Sequence, residues 1–280
     1  MGTMTGKLLG GVGLLLALGC AGKSNSNAAG GGGTGGGSTG GGSGGEVTGC
    51  VGSKPAVVMA TGRIDIPVRV TANHVPMTVG VPGTGRDGRE YRLSLLKLFL
   101  AEPAFIDANG HESKAQFVGA GGPPLPYGLA LIDADDPATQ LLRLTAPPGA
   151  YTALHFGVGV PAACNAVSNT DRVSPLNPDS DMFWTWGSQF MFIRAEGASR
   201  VPPATEWSSF EYHVGYDPSY ANITVAGSIT VGAGGAGPTL SLDVDRMLTT
   251  DAANPPSPKH TLPDGWVVDN LENQQAFSLE

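Results

Sequence analysis

Apolar and polar residues alternate along most of the chain from residue 57 onward, and this pattern limits the fold more than any other feature of the sequence. The clearest example is a segment whose apolar positions are Ile64, Ile66, Val68 and Val70. Successive side chains of a strand point to opposite faces of a sheet, so a period of two indicates a half-buried strand. Pro67, on the polar face of this segment, predicts an edge strand or a bulge, because proline cannot donate to a sheet ladder.

The same pattern recurs in about ten short segments separated by turn signals. Residues 91–101 alternate with a slip at Leu95 and Leu96 that predicts a β-bulge, and Asn109-Gly110 predicts the turn of a hairpin. Residues 246–250 could begin a short helix, no segment has the pattern of a long one, and the tail from Asn254 is predicted to be irregular. The patterns predict an all-β fold, an antiparallel β-sandwich of about ten strands with long loops.

Residues 182–197, M-F-W-T-W-G-S-Q-F-M-F-I-R-A-E-G, form the most aromatic stretch of the chain and hold two of its four tryptophans. The stretch is too apolar for a loop, and its composition favours a buried strand. Alternation places Trp184 and Trp186 on one face, most simply inside the sandwich. The alternative, that a tryptophan here helps to line a site, stays open.

The N-terminus resembles a bacterial lipoprotein signal. Lys7 supplies a positive charge, and the apolar run of residues 8–18 after it is too short to span a membrane. Gly19 directly before Cys20 is similar to a lipobox, which predicts a signal peptide over residues 1–19 and lipidation of Cys20; an ordinary cleaved signal is the alternative. Residues 20–46 are rich in Gly and Ser and predict a flexible linker to a domain of residues 47–280.

An anchored protein of this kind is expected at the bacterial outer membrane, facing the periplasm or the cell surface. Its two other cysteines, Cys50 and Cys164, predict a disulfide, because an even pair in an exported protein favours one. Two thiolate metal ligands are the alternative. The predicted disulfide closes a loop of more than a hundred residues, for which chain entropy gives about 4–5 kcal/mol.

The charge pattern excludes some partners. The net charge is −8 and no cluster of Lys and Arg occurs, which argues against nucleic acid and against anionic membrane surfaces, so the lipid anchor is the only predicted membrane contact. The folded part has no G-x-S-x-G, H-E-x-x-H, C-x-x-C or phosphate loop, so no enzyme is predicted. Asp243 and Asp245 share one face of a predicted strand; paired carboxylates can do acid–base work, but solvated charges are commoner there.

The histidines are the better candidates for chemistry. His155 and His213 each interrupt the small or polar face of an alternating strand, and His74 ends the first strong strand, with Met77 three residues on. Imidazole binds copper and zinc, and a thioether adds affinity for Cu(I). Because strand ends meet at the rim of a sandwich, these residues form a candidate metal site. His111 and His260 lie in turn-like contexts and are expected to be exposed.

Several segments resemble one family. They are residues 91–100, residues 148–165 with P-G-A-Y, F-G-V-G-V-P and Asn165, and residues 175–197 with P-L-N, M-F-W-T-W and F-M-F-I-R-A-E-G. Together they are similar to the MbnP-like copper-binding proteins, exported β-sandwich proteins related to methanobactin-associated and methanotroph surface copper proteins. The resemblance extends over residues 60–245.

The resemblance implies copper bound through histidines, in some members with a tryptophan oxidised to kynurenine by a dihaem peroxidase-like partner enzyme. His213, in F-E-Y-H-V-G, matches the family's F-x-F-H-(L/I)-G strand, and His74 has a comparable early position. These two are the predicted ligands, with His155 or Met77 completing the site. The family's mid-chain Tyr-x-His position has no histidine in this chain, where it is Tyr127-Gly-Leu.

Two functions follow from these observations. The first is an exported, lipid-anchored copper-binding protein for uptake, storage or delivery, with the metal ion as its ligand. The alternative is a surface binding module for carbohydrate or protein that keeps the same scaffold without the metal site. That module is predicted to use aromatic residues at the sandwich edge, namely Trp207, Tyr216 and Tyr220.

Overall fold

The computed structural model of the protein describes residues 62–165, 172–184, 189–248, 260–261, 265–273 and 275–280. In these residues the strands are β1 (Gly62–Ala72), β2 (Val75–Pro76), β3 (Gly83–Thr84), β4 (Glu90–Ile106), β5 (Glu112–Lys114), β6 (Gln116–Phe117), β7 (Leu129–Asp133), β8 (Leu141–Ala146), β9 (Gly149–Val158), β10 (Met191–Arg200), β11 (Ser208–Gly215), β12 (Ala221–Val231), β13 (Ala233–Ala236), β14 (Leu240–Asp243), β15 (His260–Thr261) and β16 (Phe277–Leu279). The α-helices are α1 (Ala162–Asn165), α2 (Val244–Leu248) and α3 (Gly265–Asn273).

The chain divides into two units, Met1–Gly45 and Glu46–Glu280. The first unit, together with residues 46–61, lies outside the described residues. The signal peptide, Cys20, the linker of residues 20–46 and the start of the domain therefore stay predictions. No helix in the part of the chain that the structure describes is both long and apolar enough to cross a membrane.

The strands form two sheets that are mainly antiparallel. The seven-stranded sheet has the order β16-β14-β1-β8-β6, with β2 and β13 also paired to β1. The nine-stranded sheet has the order β12-β9-β4-β10-β11-β15, with β3, β5 and β7 also paired to β4. Parallel pairs occur where β1 meets β13 and β14, and where β11 meets β15. The predicted all-β sandwich is confirmed.

Strand β1 is the centre of the first sheet. Its predicted apolar face is buried at each position where the alternation placed it. The prediction of an edge strand from Pro67 is wrong, because β1 has neighbours along both edges. Pro67 instead pairs with Leu141 at the last position of the β8 ladder, and β1 pairs with β14 from Val68 onward. A proline is accommodated at this change of partner.

Strand β4 is the centre of the second sheet, and its 17 residues pair with β3, β5, β7, β9 and β10. The predicted irregularity lies slightly earlier than expected, between Leu93 and Leu95, where the register with β10 shifts. The hairpin predicted from Asn109-Gly110 is confirmed, since Ile106 pairs with Glu112 across that turn. Four consecutive residues of β4, residues 98–101, are buried.

The two sheets enclose the main hydrophobic core. It takes the inward residues of both sheets, including Ile64 and Leu144 from the first and Leu98, Phe156 and Tyr212 from the second. The alternation of the strands explains which residues enter this core, because each of these side chains is next in sequence to one that points outward. Burial of such apolar area at about 25 cal/mol per Å² is the main term that holds a sandwich together.

A second hydrophobic core lies on the other side of the nine-stranded sheet. Phe99 and Ala101 of β4 alternate with Leu98 and Leu100 of the main core, so they project to the opposite face. They are covered by residues from the segment between β9 and β10, namely Val160, Cys164, Leu176, Met182, Trp184 and Phe190. The nine-stranded sheet is therefore buried on both faces over this region.

This second core corrects the interpretation of the aromatic stretch. Trp184 is 3% exposed, but it packs in the second core and not inside the sandwich. The strand of this stretch begins only at Met191; before it, Phe183 and Phe190 form an isolated bridge. Trp186 lies outside the described residues. An aromatic run identifies burial well, but it does not say on which face of a sheet the burial occurs.

The C-terminal region is more regular than its sequence predicts. Helix α2 begins at Val244, slightly before the predicted start, while α3 and β16 fall in the tail that was expected to be irregular. Leu240 pairs with Leu279, so β16 extends the first sheet. The buried side chain of Asn270 donates to the carbonyl oxygen of Met247 at 3.0 Å and joins the two helices. A long-range pairing of this kind has no local sequence signal.

Candidate functional site

His213 is the predicted ligand with the most ordered surroundings. Its neighbours in β11, Tyr212 and Val214, belong to the main core, so His213 projects from the outer face of the nine-stranded sheet. It pairs with Arg194 of β10 in the ladder, and its Nε2 lies 2.8 Å from Oε1 of Glu196. The side chain is 19% exposed. The alternation of β11 thus places one imidazole on the covered side of this sheet.

Glu196 determines which nitrogen of His213 carries a proton. Burial raises the pKa of Glu196, but hydrogen bonds from His213 and Arg194 outweigh this and hold the pKa below its ordinary value. The carboxylate is therefore ionised at neutral pH and can only accept, so Nε2 of His213 donates to it. In the neutral imidazole this leaves the lone pair on Nδ1, the arrangement that a carboxylate produces in a metal-ligating histidine.

The His213–Glu196 pair belongs to a wider ionic cluster. Arg194 donates through Nε to Oε1 of Glu196 at 2.7 Å and through Nη1 to the carboxylate of Asp181. Lys97 of β4, which pairs with Arg194 in the ladder, lies 3.3 Å from Asp133. The cluster lies beside the second core, because Asp181 directly precedes the buried Met182. Its members alternate in sign, so the charges compensate one another where they are partly shielded from water.

Sequence reasoning missed Glu196, Arg194 and Asp181. The first two stand two residues apart in R-A-E-G, a spacing that puts both on one face of a strand. Recognising them needed the register of β10 with β11, which sets Arg194 opposite His213. Asp181 comes from the covering segment, and nothing in the local sequence places it near β10.

His74 and Met77 lie elsewhere, at the end of β1 in the seven-stranded sheet. The backbone N–H of His74 donates to Oδ2 of Asp243 at 3.1 Å, and its ring is 54% exposed with Nδ1 4.0 Å from Glu280. Met77 packs against the main core, and its Sδ lies 2.9 Å from the position of a Cβ added to Gly83. The thioether therefore fills the space that this glycine leaves.

His155 is also separate from His213. It lies on β9, where Nδ1 is 3.2 Å from Oγ1 of Thr224 and the residue pairs with Ala104 of β4. His213 pairs with Arg194 of β10, and Arg194 pairs in turn with Lys97 of β4. Lys97 and Ala104 are separated by seven positions, which corresponds to about 20 Å along a strand.

These placements do not assemble the four predicted ligands into one site. Among the described residues, no group of three or more His, Cys, Asp and Glu side chains could hold a metal ion. His213 supplies one oriented imidazole, and the rest of the ligand set stays a prediction. Cys50 lies outside the described residues, so its predicted disulfide also stays a prediction, while Cys164 is buried in the second core.

The expectation that Asp243 and Asp245 are solvated is wrong, since both are buried, at 3% and 1% exposure. Asp243 accepts backbone N–H bonds from Asn73 and His74 after β1, and from Asp245 and Arg246 at the start of α2. Its position as the residue before α2 makes it the N-cap of that helix. Its bonds join β1 to α2 and indicate a structural role.

Asp245 accepts from Nε of Arg86 at 2.7 Å and from the hydroxyl of Tyr91 at 3.1 Å. Burial raises the pKa of Asp245, but the bonds from Arg86 outweigh it and hold the pKa below its ordinary value. A carboxylate whose pKa is lowered by folding stabilises the protein fully at pH values above its ordinary pKa. This contribution is lost progressively as the pH falls through the pKa that the group has in the folded protein. We therefore expect the difference in unfolding free energy between wild type and Asp245→Asn to be constant above pH 5 and to shrink below about pH 4.

Urea unfolding of both proteins from pH 7 to pH 2.5 measures this difference. A difference that does not change over the acid range contradicts the assignment of the ion pair. Asp87→Asn serves as the control, because Asp87 contacts Arg89 at 3.8 Å in the same loop without contacting Asp245.

The edge aromatics predicted for a binding module each contact other side chains of the protein. The ring of Trp207 has guanidinium groups at 4.8 Å from Arg92 and 4.6 Å from Arg200. Tyr216 stacks on Trp184 with ring centroids 4.8 Å apart, and the hydroxyl of Tyr220 donates to Glu102 at 2.6 Å. A sugar-binding platform needs a free aromatic face, and Trp207 and Tyr216 each already have a ring contact within the protein.

Comparison with known proteins gives one family. The sequence model of the MbnP family matches residues 61–260. Among solved structures, MbnP from Methylosinus trichosporium is similar at 18% identity and a TM-score of 0.46, covering 66% of this chain and 76% of that one. No curated protein matches the sequence.

Proposed function

Because the chain belongs to the MbnP family, we propose that it is an exported, lipid-anchored protein that binds copper for uptake, storage or delivery. It acts as a carrier and not as an enzyme, and the oriented imidazole of His213 supports a metal-binding role. Its place is the bacterial outer membrane, facing the periplasm or the cell surface, with Cys20 as the lipidated residue. A dihaem peroxidase-like enzyme is the partner that the family resemblance implies.

The observation that carries this proposal is the His213–Glu196 pair. His213 matches the histidine of the family's F-x-F-H strand, and Glu196 fixes its ring with Nε2 as the donor at 2.8 Å. Copper is then bound through Nδ1, which keeps its lone pair. The carboxylate raises the basicity of the ring, and outer partners of this kind contribute about 10–100-fold to metal affinity.

The ionic cluster favours a cationic cargo. Glu196 and Asp181 share one cation, Arg194, so one negative charge of these two carboxylates is left uncompensated before metal arrives. A metal ion at His213 adds positive charge close to Glu196, and the lowered pKa of Glu196 means that this carboxylate is already ionised. No proton has to leave Glu196 when the ion binds. The free energy of metal binding therefore does not depend on titration of Glu196 near neutral pH.

We expect His213→Ala to abolish tight copper binding and Glu196→Gln to weaken it about 10–100-fold. Copper is loaded anaerobically as Cu(I) and aerobically as Cu(II), excess metal is removed, and bound metal is measured by elemental analysis, with affinity from chelator competition. His111→Ala is the matched control, because His111 is 79% exposed and sits in the turn after β4.

Unchanged copper content in His213→Ala overturns the role of this residue. His74→Ala is measured beside it, since His74 is the other ligand that the resemblance implies. If His74→Ala loses bound copper and His213→Ala retains it, the copper site lies at the end of β1. Equal retention in both variants and in their double mutant removes the copper proposal for the predicted ligands.

A further inference from the structure

An open cavity lies on the outer face of the seven-stranded sheet, away from the His213 cluster on the other sheet. Its volume is about 250 Å³, and it is lined by Arg63 and Asp65 of β1, Arg143 of β8, and the glycines Gly119, Gly234 and Gly235. Pockets for drug-sized ligands usually have about 300–1,000 Å³, so this one suits a smaller molecule.

The charges in this cavity are unusual for an acidic chain. Neither Arg63 nor Arg143 forms an ion pair with a carboxylate of the described residues. Asp65 stands directly opposite Arg143 in the β1–β8 ladder, yet the two make no ion pair. Two guanidinium groups and one carboxylate therefore line the same small cavity without forming ion pairs with one another.

Glycines shape the space around Arg63. A Cβ added to Gly122 would lie 2.6 Å from Nη2 of Arg63, and the φ of Gly122 is +90°, which side chains rarely adopt. The guanidinium group thus lies against the bare backbone of this turn. Gly234 has a φ of +112°. A Cβ added there would have one neighbour within 4 Å, the Cβ of Arg63. Larger residues at these positions would move Arg63 or close the cavity.

We propose that this cavity binds a small α-amino carboxylate, with Arg63 and Arg143 on its carboxylate and Asp65 on its ammonium group. The planar fork of a guanidinium group matches a carboxylate and forms paired N–H···O bonds with it. A lone carboxylate or a phosphate dianion leaves Asp65 without a cationic partner, whereas a zwitterion offers a partner of opposite charge to all three side chains. The volume is sufficient for a free amino acid.

Three probes at low ionic strength test this assignment. L-alanine, propionate and inorganic phosphate are titrated into ¹⁵N-labelled protein, and the amide shifts of Gly119, Gly234 and Gly235 are followed. L-alanine is expected to shift them with saturation, and propionate, which lacks only the ammonium group, to bind about tenfold more weakly. Absence of saturable shifts with L-alanine overturns the proposal. So does phosphate binding that is as tight as that of L-alanine.

Variants separate the roles of the three side chains. Arg143→Gln and Arg63→Gln are each expected to weaken L-alanine binding about tenfold or more, and Asp65→Asn to remove the preference for L-alanine over propionate. Arg69→Gln is the matched control, since Arg69 is on the same strand and contacts Glu280 at 3.6 Å instead of the cavity. Equal affinities in Arg143→Gln and Arg69→Gln contradict the site. None of these changes touches His213, so failure here leaves the copper proposal unaffected.

Discussion

Replacing Asp243 by alanine is expected to lower the free energy of unfolding by about 3–4 kcal/mol. The buried carboxylate accepts from four backbone amides, two after β1 and two at the start of α2. Loss of a helix N-cap costs about 1 kcal/mol, and a hydrogen bond to a charged acceptor contributes about 1.5–3 kcal/mol. Urea unfolding at pH 7 measures the effect as a lower midpoint at an unchanged slope.

Asp243→Asn is the matched control for this prediction. The amide oxygen can replace Oδ1, which accepts from Asn73, Asp245 and Arg246, while the bond from His74 to Oδ2 is lost. Asparagine is also a good N-cap, so the expected loss is only about 1 kcal/mol. Equal losses in the two variants would show that the bonds to Oδ1 contribute little.

Phe190→Ala is expected to cost about 3–5 kcal/mol, because it removes a fully buried ring from the second core. The ring packs edge-on against Phe99 of β4 at 6.2 Å and against Phe183 at 4.9 Å between centroids. The backbone of Phe190 is held separately, since its N–H donates to Oδ1 of Asn165 at 2.8 Å. Alanine therefore leaves a cavity that the anchored backbone cannot readily close.

Phe183→Ala provides the comparison, since Phe183 shares the ring contact but is only partly buried. Its expected cost is about 1–2 kcal/mol, in proportion to the smaller apolar area removed from water. Unfolding in urea with fluorescence and circular dichroism compares the two variants. A cost for Phe190→Ala below that for Phe183→Ala would mean that the second core is not a packed unit.

The elements that sequence reasoning predicted well are those determined by local periodicity. Ile64, Ile66, Val68 and Val70 face the core of β1 as their spacing requires, and the turn at Asn109-Gly110 joins β4 to β5. The outward direction of His213 follows from the same alternation. These features depend on a few neighbouring residues, and the physical rule that links them to structure is steric.

Sequence reasoning failed where the outcome depends on distant segments. Asp243 and Asp245 have the spacing of solvated strand residues, but both are buried: Asp243 caps helix α2, and Asp245 lies in that helix and pairs with Arg86. Pro67 indicates an edge, yet β1 pairs with β8 as well as with the parallel strands β13 and β14. The partner of His213 depended on the register of β10, which no local pattern specifies. Pairings of this kind arise only when the whole sheet forms.

Burial of β4 on both faces has a consequence for how this protein can change in evolution. A strand with one wet face, such as β12, accepts polar exchanges at alternate positions, where Asn222, Thr224 and Ala226 are exposed. Residues 98–101 of β4 have no such alternate position, because each is packed in one core or the other. Mutational drift is therefore confined there to apolar residues of similar volume. This short stretch is expected to diverge more slowly than the charged cluster beside it.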